Sequence, residues 1–274
     1  MTPDMQLSLD HITVTDTTPS QLAELAAVTG CSGICPFLHS MEVLPRMPEY
    51  DLVKNQAARR ETRAVLDANG ITVDLVYPFT MASRTVVADF DGALAAGAEL
   101  GAPLANVLCY DRDPIRRVER LGELAELAAT YGIGLAIEFY PPAQVRTLAE
   151  ALATLDALGR PDAGVTLDLL HVMRSGAMEE SMALLGDPRI RIAQVSDGPG
   201  TIPADRIEWE AGAQRLLPGD GTFPIERFLA GLRADVPISV EVPQDAAIAD
   251  GVPSLLRARQ VVDRMLAIRT RVVA

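Results

Sequence analysis

Val165-Thr166-Leu167-Asp168-Leu169-Leu170-His171 is a short apolar run that ends on an acid and an imidazole. A run of this length and composition reads as a strand buried on both faces, of the kind found in parallel sheets. An ionised carboxylate in such a place is costly unless a partner or a metal compensates it. Asp168 therefore needs company. Three more strand-like runs supply it: residues 134–141 with Glu138, 190–197 with Gln194, and 236–243 with Glu241. Each places one oxygen-bearing side chain near its end, so the four could converge on one cation.

Outward from this stretch the chain alternates. Strand-like runs at 7–14, 33–37, 71–78, 104–110, 134–141, 164–171, 190–197 and 236–243 are each followed by a helical pattern. The helices are expected at 20–29 with Ser20 as N-cap, 51–69, 85–100, 114–131, 148–158, 179–185, 224–234 and 254–268. Gly30, Gly70, Gly101, Gly132 and Gly159 stand where helices stop, and Asp113-Pro114 is a cap followed by proline at the first helical position. Eight strand and helix pairs are what a (β/α)8 TIM barrel requires, so the expectation is an α/β chain with a single barrel domain over residues 1–274. A doubly wound sheet is the alternative, but no G-x-G-x-x-G follows the first strand. One interruption is the stretch 198–221, long enough to be a lid or binding element. In a barrel, side chains that end successive strands share one rim, where active centres lie. Glu138, Asp168, Gln194 and Glu241 meet that condition at separations of 30, 26 and 47 residues.

Composition narrows the partners. A net charge of −13 argues against nucleic acid and against an anionic membrane surface, leaving a small-molecule substrate. No basic and apolar leader opens the chain and no run of about 18 apolar residues occurs, so a cytoplasmic protein is expected. Cys31, Cys35 and Cys109 form no disulfide framework, and Cys31 and Cys35 read as core packing. The single lysine, Lys54, falls in a helical pattern, which disfavours Schiff-base chemistry at a strand end. A phosphodiesterase with a multi-metal zinc cluster would need more than the three histidines present and a basic face.

Three carboxylates and one amide make an all-oxygen ligand set. That favours one hard or borderline divalent ion, Mg2+, Mn2+ or Co2+, and leaves the centre at about −1. A carboxylate not fully neutralised can still act as a base. Bound to a carbonyl and a neighbouring hydroxyl oxygen, the metal would stabilise the enediolate formed when the adjacent C–H proton leaves. Return of the proton to the opposite face is epimerisation, and return to the neighbouring carbon is aldose to ketose isomerisation. Loss of the β-hydroxyl instead makes the enzyme a dehydratase.

Ala-Ile-Glu-Phe at 136–139, Leu-Asp-Leu-Leu-His at 167–171, Gln-Val-Ser-Asp at 194–197, Leu-Pro-Gly-Asp-Gly at 217–221 and Val-Glu-Val at 240–242 resemble the successive motifs of the xylose isomerase-like TIM-barrel superfamily. That superfamily includes sugar epimerases, hydroxypyruvate isomerase, inosose dehydratase and 3-dehydroshikimate dehydratase. The resemblance implies that Glu138, Asp168, Gln194 and Glu241 hold the divalent metal, that Glu138 and Glu241 are the acid and base, and that His171 lies beside the substrate. Arg215 stands where family members often direct an arginine at a substrate oxygen. Homodimers or homotetramers are the assemblies it implies. Gln194 departs from the histidine expected of most sugar epimerases and matches the dehydratase-like branch. The implied activity is a metal-dependent isomerase or epimerase of a small polyhydroxylated carbonyl compound, with a dehydratase or lyase of the 3-dehydroshikimate or inosose type as the alternative. No phosphate-binding pocket is legible in the loops after the seventh and eighth strands. Trp209, the only tryptophan, is expected to wall the site from the long loop. Asp197 is expected either to orient a ligand or loop from behind or to cap its own loop. His11 and His39, near the ends of the first two strands, read as structural histidines that could touch substrate.

Overall fold

Parallel strands and helices alternate along the chain, and each strand pairs with its sequence neighbours until the sheet curls into a barrel. The computed structural model describes residues 6–273; Met1 to Met5 and Ala274, which the leader and domain-boundary readings include, lie outside the described residues. The strands are β1 Leu7–Asp10, β2 Gly33–Cys35, β3 Thr72–Val73, β4 Val76–Met81, β5 Leu104–Cys109, β6 Gly134–Glu138, β7 Ala163–Asp168, β8 Ile190–Val195 and β9 Ile238–Val240. They form one nine-stranded sheet in the order β3-β2-β1-β9-β8-β7-β6-β5-β4, every pairing parallel. The third expected strand is split into β3 and β4. β3 pairs with β2, and past the break Phe37 bridges Tyr77 in parallel, with Leu38 N–H donating to Tyr77 O at 2.8 Å. The barrel thus closes through the chain itself, giving eight staves, as the alternation of the sequence predicts.

The helices packed outside are α1 Pro19–Thr29, α2 Gln56–Asn69, α3 Asp91–Leu100, α4 Pro114–Ala129, α5 Leu148–Leu158, α6 Leu169–Arg174, α7 Met178–Ala183, α8 Ile207–Gly212, α9 Ile225–Gly231, α10 Asp245–Ala249 and α11 Ser254–Val273. Their ends correct several sequence boundaries. Thr18, not Ser20, caps α1: its hydroxyl accepts from Gln21 N–H while the Gln21 side chain accepts from Thr18 N–H, a reciprocal pair that Ser20 could not make because the residue three further on is Ala23, which has no side-chain acceptor. α2 starts five residues later than expected, because Asn55 takes the cap and Asp51 is spent accepting from Val53 and Lys54 N–H. Residues 87–90 form a 3-10 turn before α3. The expected cap at Asp113 and stop at Gly70, which sits at φ 64°, are as read.

Alternation along each strand sorts the core into two layers. Leu7, Leu9, Ile34, Val107, Ile137, Val165 and Leu167 face outward into the shell of helices, the large apolar cluster. Cys35, Leu75, Tyr77, Ala136 and Ile192 form a smaller cluster inside the barrel. Register carries the polar residues to the same inner surface, since Asp168 pairs with Gln194, Gln194 with Ser239, and Glu138 with Thr166. The three cysteines are buried and free. Among the described residues no helix is long and apolar enough to cross a membrane.

Candidate active site

Glu138 and Asp168 are the last residues of β6 and β7, Gln194 lies one residue before the end of β8, and Glu241 follows β9 directly. All four are buried at one rim. Asp168 has two tasks. Its Oδ1 accepts from Leu170 N–H at 2.8 Å and so caps α6, which lifts His171 onto the first helical turn instead of leaving it at the strand end. The helix turns the imidazole back over the rim, with Nε2 3.1 Å from Glu138 Oε1 and 3.4 Å from Asp168 Oδ2. Glu138, Asp168 and His171 each offer an atom within 4.8 Å of the others, close enough to hold a metal ion together.

Arg215 is built into the rim, where it lines the cavity and is held by carboxylates. The chain from 213 to 216 returns between two strand ends, Arg215 N–H donating to Pro243 O at 2.9 Å and Leu216 bridging Asp197. The buried guanidinium then reaches Asp168 Oδ2 at 2.9 Å and Glu241 Oε2 at 3.2 Å through Nη1, while Nε and Nη2 donate to Ala211 O. Burial alone would lower its pKa, but Asp168, Glu241 and Glu138 more than reverse that and hold it charged. Burial pushes the Glu241 carboxyl well above the usual carboxylate range, against the pull of Arg215.

Polar residues beneath the rim complete the site, and sequence reading passed over them. Asn106 Nδ2 donates to Glu138 Oε2 at 2.5 Å and its Oδ1 accepts from Thr166 Oγ1 at 2.6 Å, so that carboxylate is oriented from below. Gln194 Nε2 donates to Tyr77 Oη at 2.6 Å, and that hydroxyl donates to Asp10 Oδ2 at 2.8 Å. The Asp10 carboxyl is pushed up to about 7 by burial, against hydrogen bonds from Ile12 N–H, Tyr77 and Gln194. The amide of Gln194 is thereby fixed, and its Oε1 is left buried with no hydrogen-bond partner. With Glu138, Asp168 and His171 grouped closely and Gln194 paired in register with Asp168, this orphaned buried oxygen adds to the donor chemistry a divalent cation takes. The residues fit such an ion. Asp10 in Leu-Ser-Leu-Asp and Asn106 in Leu-Ala-Asn-Val-Leu carried the same signal as Asp168, a polar side chain in an apolar strand.

The long segment after β8 is not structureless, since it contains α8 and a short 3-10 turn, residues 204–206. It corrects the place of Trp209. Successive helical residues are rotated by about 100°, so Glu208 and Ala211 face the cavity over the rim while Trp209, 45 % exposed, faces away. There the Arg206 guanidinium lies 4.0 Å above its ring. Asp197 is a loop cap: it accepts from Gly198, Gly219 and Phe223 N–H. Leu-Pro-Gly-Asp-Gly is shaped by it, for Gly219 sits at φ 92° and a Cβ on Gly221 would collide with the Asp197 carboxylate. His11 is structural, its Nε2–H donating to Thr17 O at 2.9 Å and its Nδ1 accepting from Phe37 N–H at 3.2 Å. His39 bonds Ser40 O, away from the rim, and Lys54 pairs with Asp51 at the surface.

The chain belongs to the xylose isomerase-like TIM-barrel family, whose model matches residues 22–265. Among curated proteins it is similar to inosose isomerase of Bacillus velezensis, 26 % identical over 160 residues that cover 55 % of this chain and 56 % of that one. The chain thus spans little more than half the length of that relative. Among solved structures it superposes on a xylose isomerase-like TIM barrel/4-hydroxyphenylpyruvate dioxygenase fusion protein with a TM-score of 0.80 and 22 % identity, covering 98 % of this chain and 43 % of that one. It superposes on the IOLI protein, solved with a bound zinc atom, with a TM-score of 0.78 and 18 % identity over 97 % and 99 % of the two chains.

Proposed function

We propose that this chain is an isomerase or epimerase that moves a proton beside the carbonyl of a small polyhydroxylated compound, with one divalent ion held among Glu138, Asp168, Gln194 and Glu241. The observation that carries the reading is the placement of two buried carboxylates, Glu138 and Glu241, three strands apart on an eight-stave rim, so that both line the same cavity from different sides. The similarity to inosose isomerase supports the class of reaction. When bound, the ion would supply Lewis-acid polarisation of a substrate oxygen.

The chain's own residues do the rest. Glu138, oriented by Asn106 and beside His171, is placed to hold or move a proton at its Oε1. Glu241, kept against Arg215 and favoured by burial in its protonated form, is placed to return one from the other side. Arg215 prevents Asp168 and Glu241 from repelling each other at close range. Phe139 and Tyr140 flank the His171 ring, Tyr140 with centroids 4.8 Å apart, and limit water on that side. A second reading is elimination. His171 sits 3.1 Å from Glu138 Oε1, so a proton acceptor and a proton donor lie on the same face, as loss of a β-hydroxyl requires.

Proton NMR in D2O of the chain supplied with Mg2+, against ketoses, inososes and 3-dehydroshikimate, separates these. Deuterium entering beside the carbonyl with every hydroxyl retained is the expected result, and Glu138→Gln and Glu241→Gln should each slow it by roughly 10²- to 10⁴-fold. A vinylic or aromatic product moves the chain to the lyases. Full exchange activity in Glu241→Gln would sink the two-carboxylate mechanism.

A further inference from the structure

The cavity over the rim holds about 500 Å3, ample for a small ligand. Its two halves differ in chemistry. The half built by β6 to β9 and the segments after them carries the carboxylates, His171 and Arg215. The half built by β1 to β5 and the stretch after β2 is walled mainly by Ile12, Phe37, Leu44 and Leu108, with Met41 and Val43 at its mouth, and also carries the polar Thr80, Asn106 and Tyr110. Phe37 stacks on Tyr77 with centroids 4.8 Å apart, which makes a flat aromatic face inside the cavity. Ile12, Leu44 and Met47 pack together with Phe37 and Met41 into a cluster separate from the main core. Hydroxyl groups laid against such a wall would leave water without gaining a partner, at a cost for each. An apolar group gains there instead.

Charge points the same way. Arg215 is the only cation lining the cavity among the described residues, and all of its nitrogens are engaged: Nη1 with Asp168 and Glu241, Nε and Nη2 with Ala211 O. Glu138, Glu208 and Glu241 line the same space. Away from the ion proposed at the rim, a phosphate or carboxylate in this space would meet Glu208 and no free cationic side chain.

We propose that the substrate is a neutral hydroxycarbonyl compound carrying a flat apolar group, with the hydroxycarbonyl end at Glu138 and Glu241 and the apolar group against Phe37, Leu44 and Leu108. The choice of ends rests on the proton-transfer reading above. The wall and the charge do not, so a phosphorylated sugar and a carboxylate-bearing ring are disfavoured whichever reaction takes place.

Three α-hydroxyketones test this: dihydroxyacetone, 2-hydroxyacetophenone and dihydroxyacetone phosphate, each titrated calorimetrically into the full chain with Mg2+ and followed for C–H exchange in D2O. The phenyl ketone should bind about tenfold or more tightly than dihydroxyacetone, and the phosphate more weakly than either. In Met41→Gln/Val43→Asn, altered on a stretch outside regular structure, the phenyl preference should shrink several-fold. Equal affinity for the phenyl ketone and dihydroxyacetone, or tightest binding by the phosphate, overturns the proposal even if exchange is catalysed. The phenyl preference without exchange on any ketone supports the substrate class and instead removes the proton-transfer chemistry.

Discussion

Asp10, Tyr77 and Gln194 are joined across the inside of the barrel, and what each side chain can do is set by the next. Because Tyr77 Oη gives its proton to Asp10, it must accept from Gln194 Nε2, and the amide is then held with Oε1 free. Tyr77→Phe removes both bonds and lets the amide rotate, so calorimetric Mn2+ affinity should fall roughly 10- to 100-fold, the usual effect of losing a group that orients a metal ligand. Unchanged affinity would mean that Gln194 is not a ligand. His11 makes a different prediction. Its neutral tautomer satisfies Thr17 O and Phe37 N–H at once, and burial lowers its pKa to about 4. A folded-state pKa below the unfolded value of about 6.5 makes the neutral ring stabilising above that pH, and the contribution is lost as pH falls from 6.5 through 4. Asp10, raised by burial to about 7, has the opposite sign: its contribution is present below about 4 and lost as pH rises toward 7. Comparison with His11→Phe separates the two. The stability difference between parent and variant, from urea unfolding, should narrow by up to about 3 kcal/mol between pH 6.5 and 4, and a difference flat across that window would show that His11 does not stay neutral.

At the scale of elements, a buried ion pair fastens α8, in the segment after β8, to α6. Arg174 at the end of α6 makes a two-point contact with Glu210 of α8 at 2.6 and 2.7 Å, both side chains 4 % exposed. It also donates to Pro199 O at 2.9 Å and lies 5.0 Å over the Phe223 ring. Arg174→Ala would strand a buried carboxylate, at about 3 to 5 kcal/mol, and the cheapest relief is for α8 to lift. Hydrogen exchange should then accelerate in residues 198–212 ahead of the strands, with KM rising more than kcat falls because α8 supplies Glu208 and Ala211 to the cavity. Exchange rising uniformly over the whole barrel would argue that the pair stabilises the fold and not the cover.

For the molecule as a whole, the barrel concentrates charge that the fold alone does not neutralise. Of three buried acids at the rim, Asp168 and Glu241 share one guanidinium, while Glu138 faces the His171 ring. A divalent ion bound there and absent from the unfolded chain should stabilise by about 2.7 kcal/mol at a hundredfold excess over its Kd, which is several degrees in Tm for a chain of this size. Differential scanning fluorimetry with Mg2+, Mn2+ or Co2+ against EDTA reads this directly, and Gln194→Ala should reduce the shift. No shift with any of the three ions would leave Arg215 as the sole counter-charge and remove the metal from the site.

Local signals determined much of this protein. The alternation of apolar runs with capped helical patterns specifies eight staves, because period and helix ends are properties of neighbouring residues. The same reading found Glu138, Asp168, Gln194 and Glu241, since a polar side chain ending an apolar run is visible without knowing what lies opposite. His171 was placed near them but on the wrong element, for only the capping bond of Asp168 reveals that the strand has already become a helix. What the tertiary structure alone decided is non-local. Arg215 reaches Asp168 across 47 residues, Gln194 meets Tyr77 across 117 and Asp10 across 184, and such meetings exist only once the barrel has closed. Trp209 was turned outward by the phase of a helix inside a stretch that reads as loop. The apolar half of the cavity was likewise hidden, because Ile12, Phe37 and Leu108 are ordinary strand-end hydrophobes until curvature of the sheet sets them facing the acids.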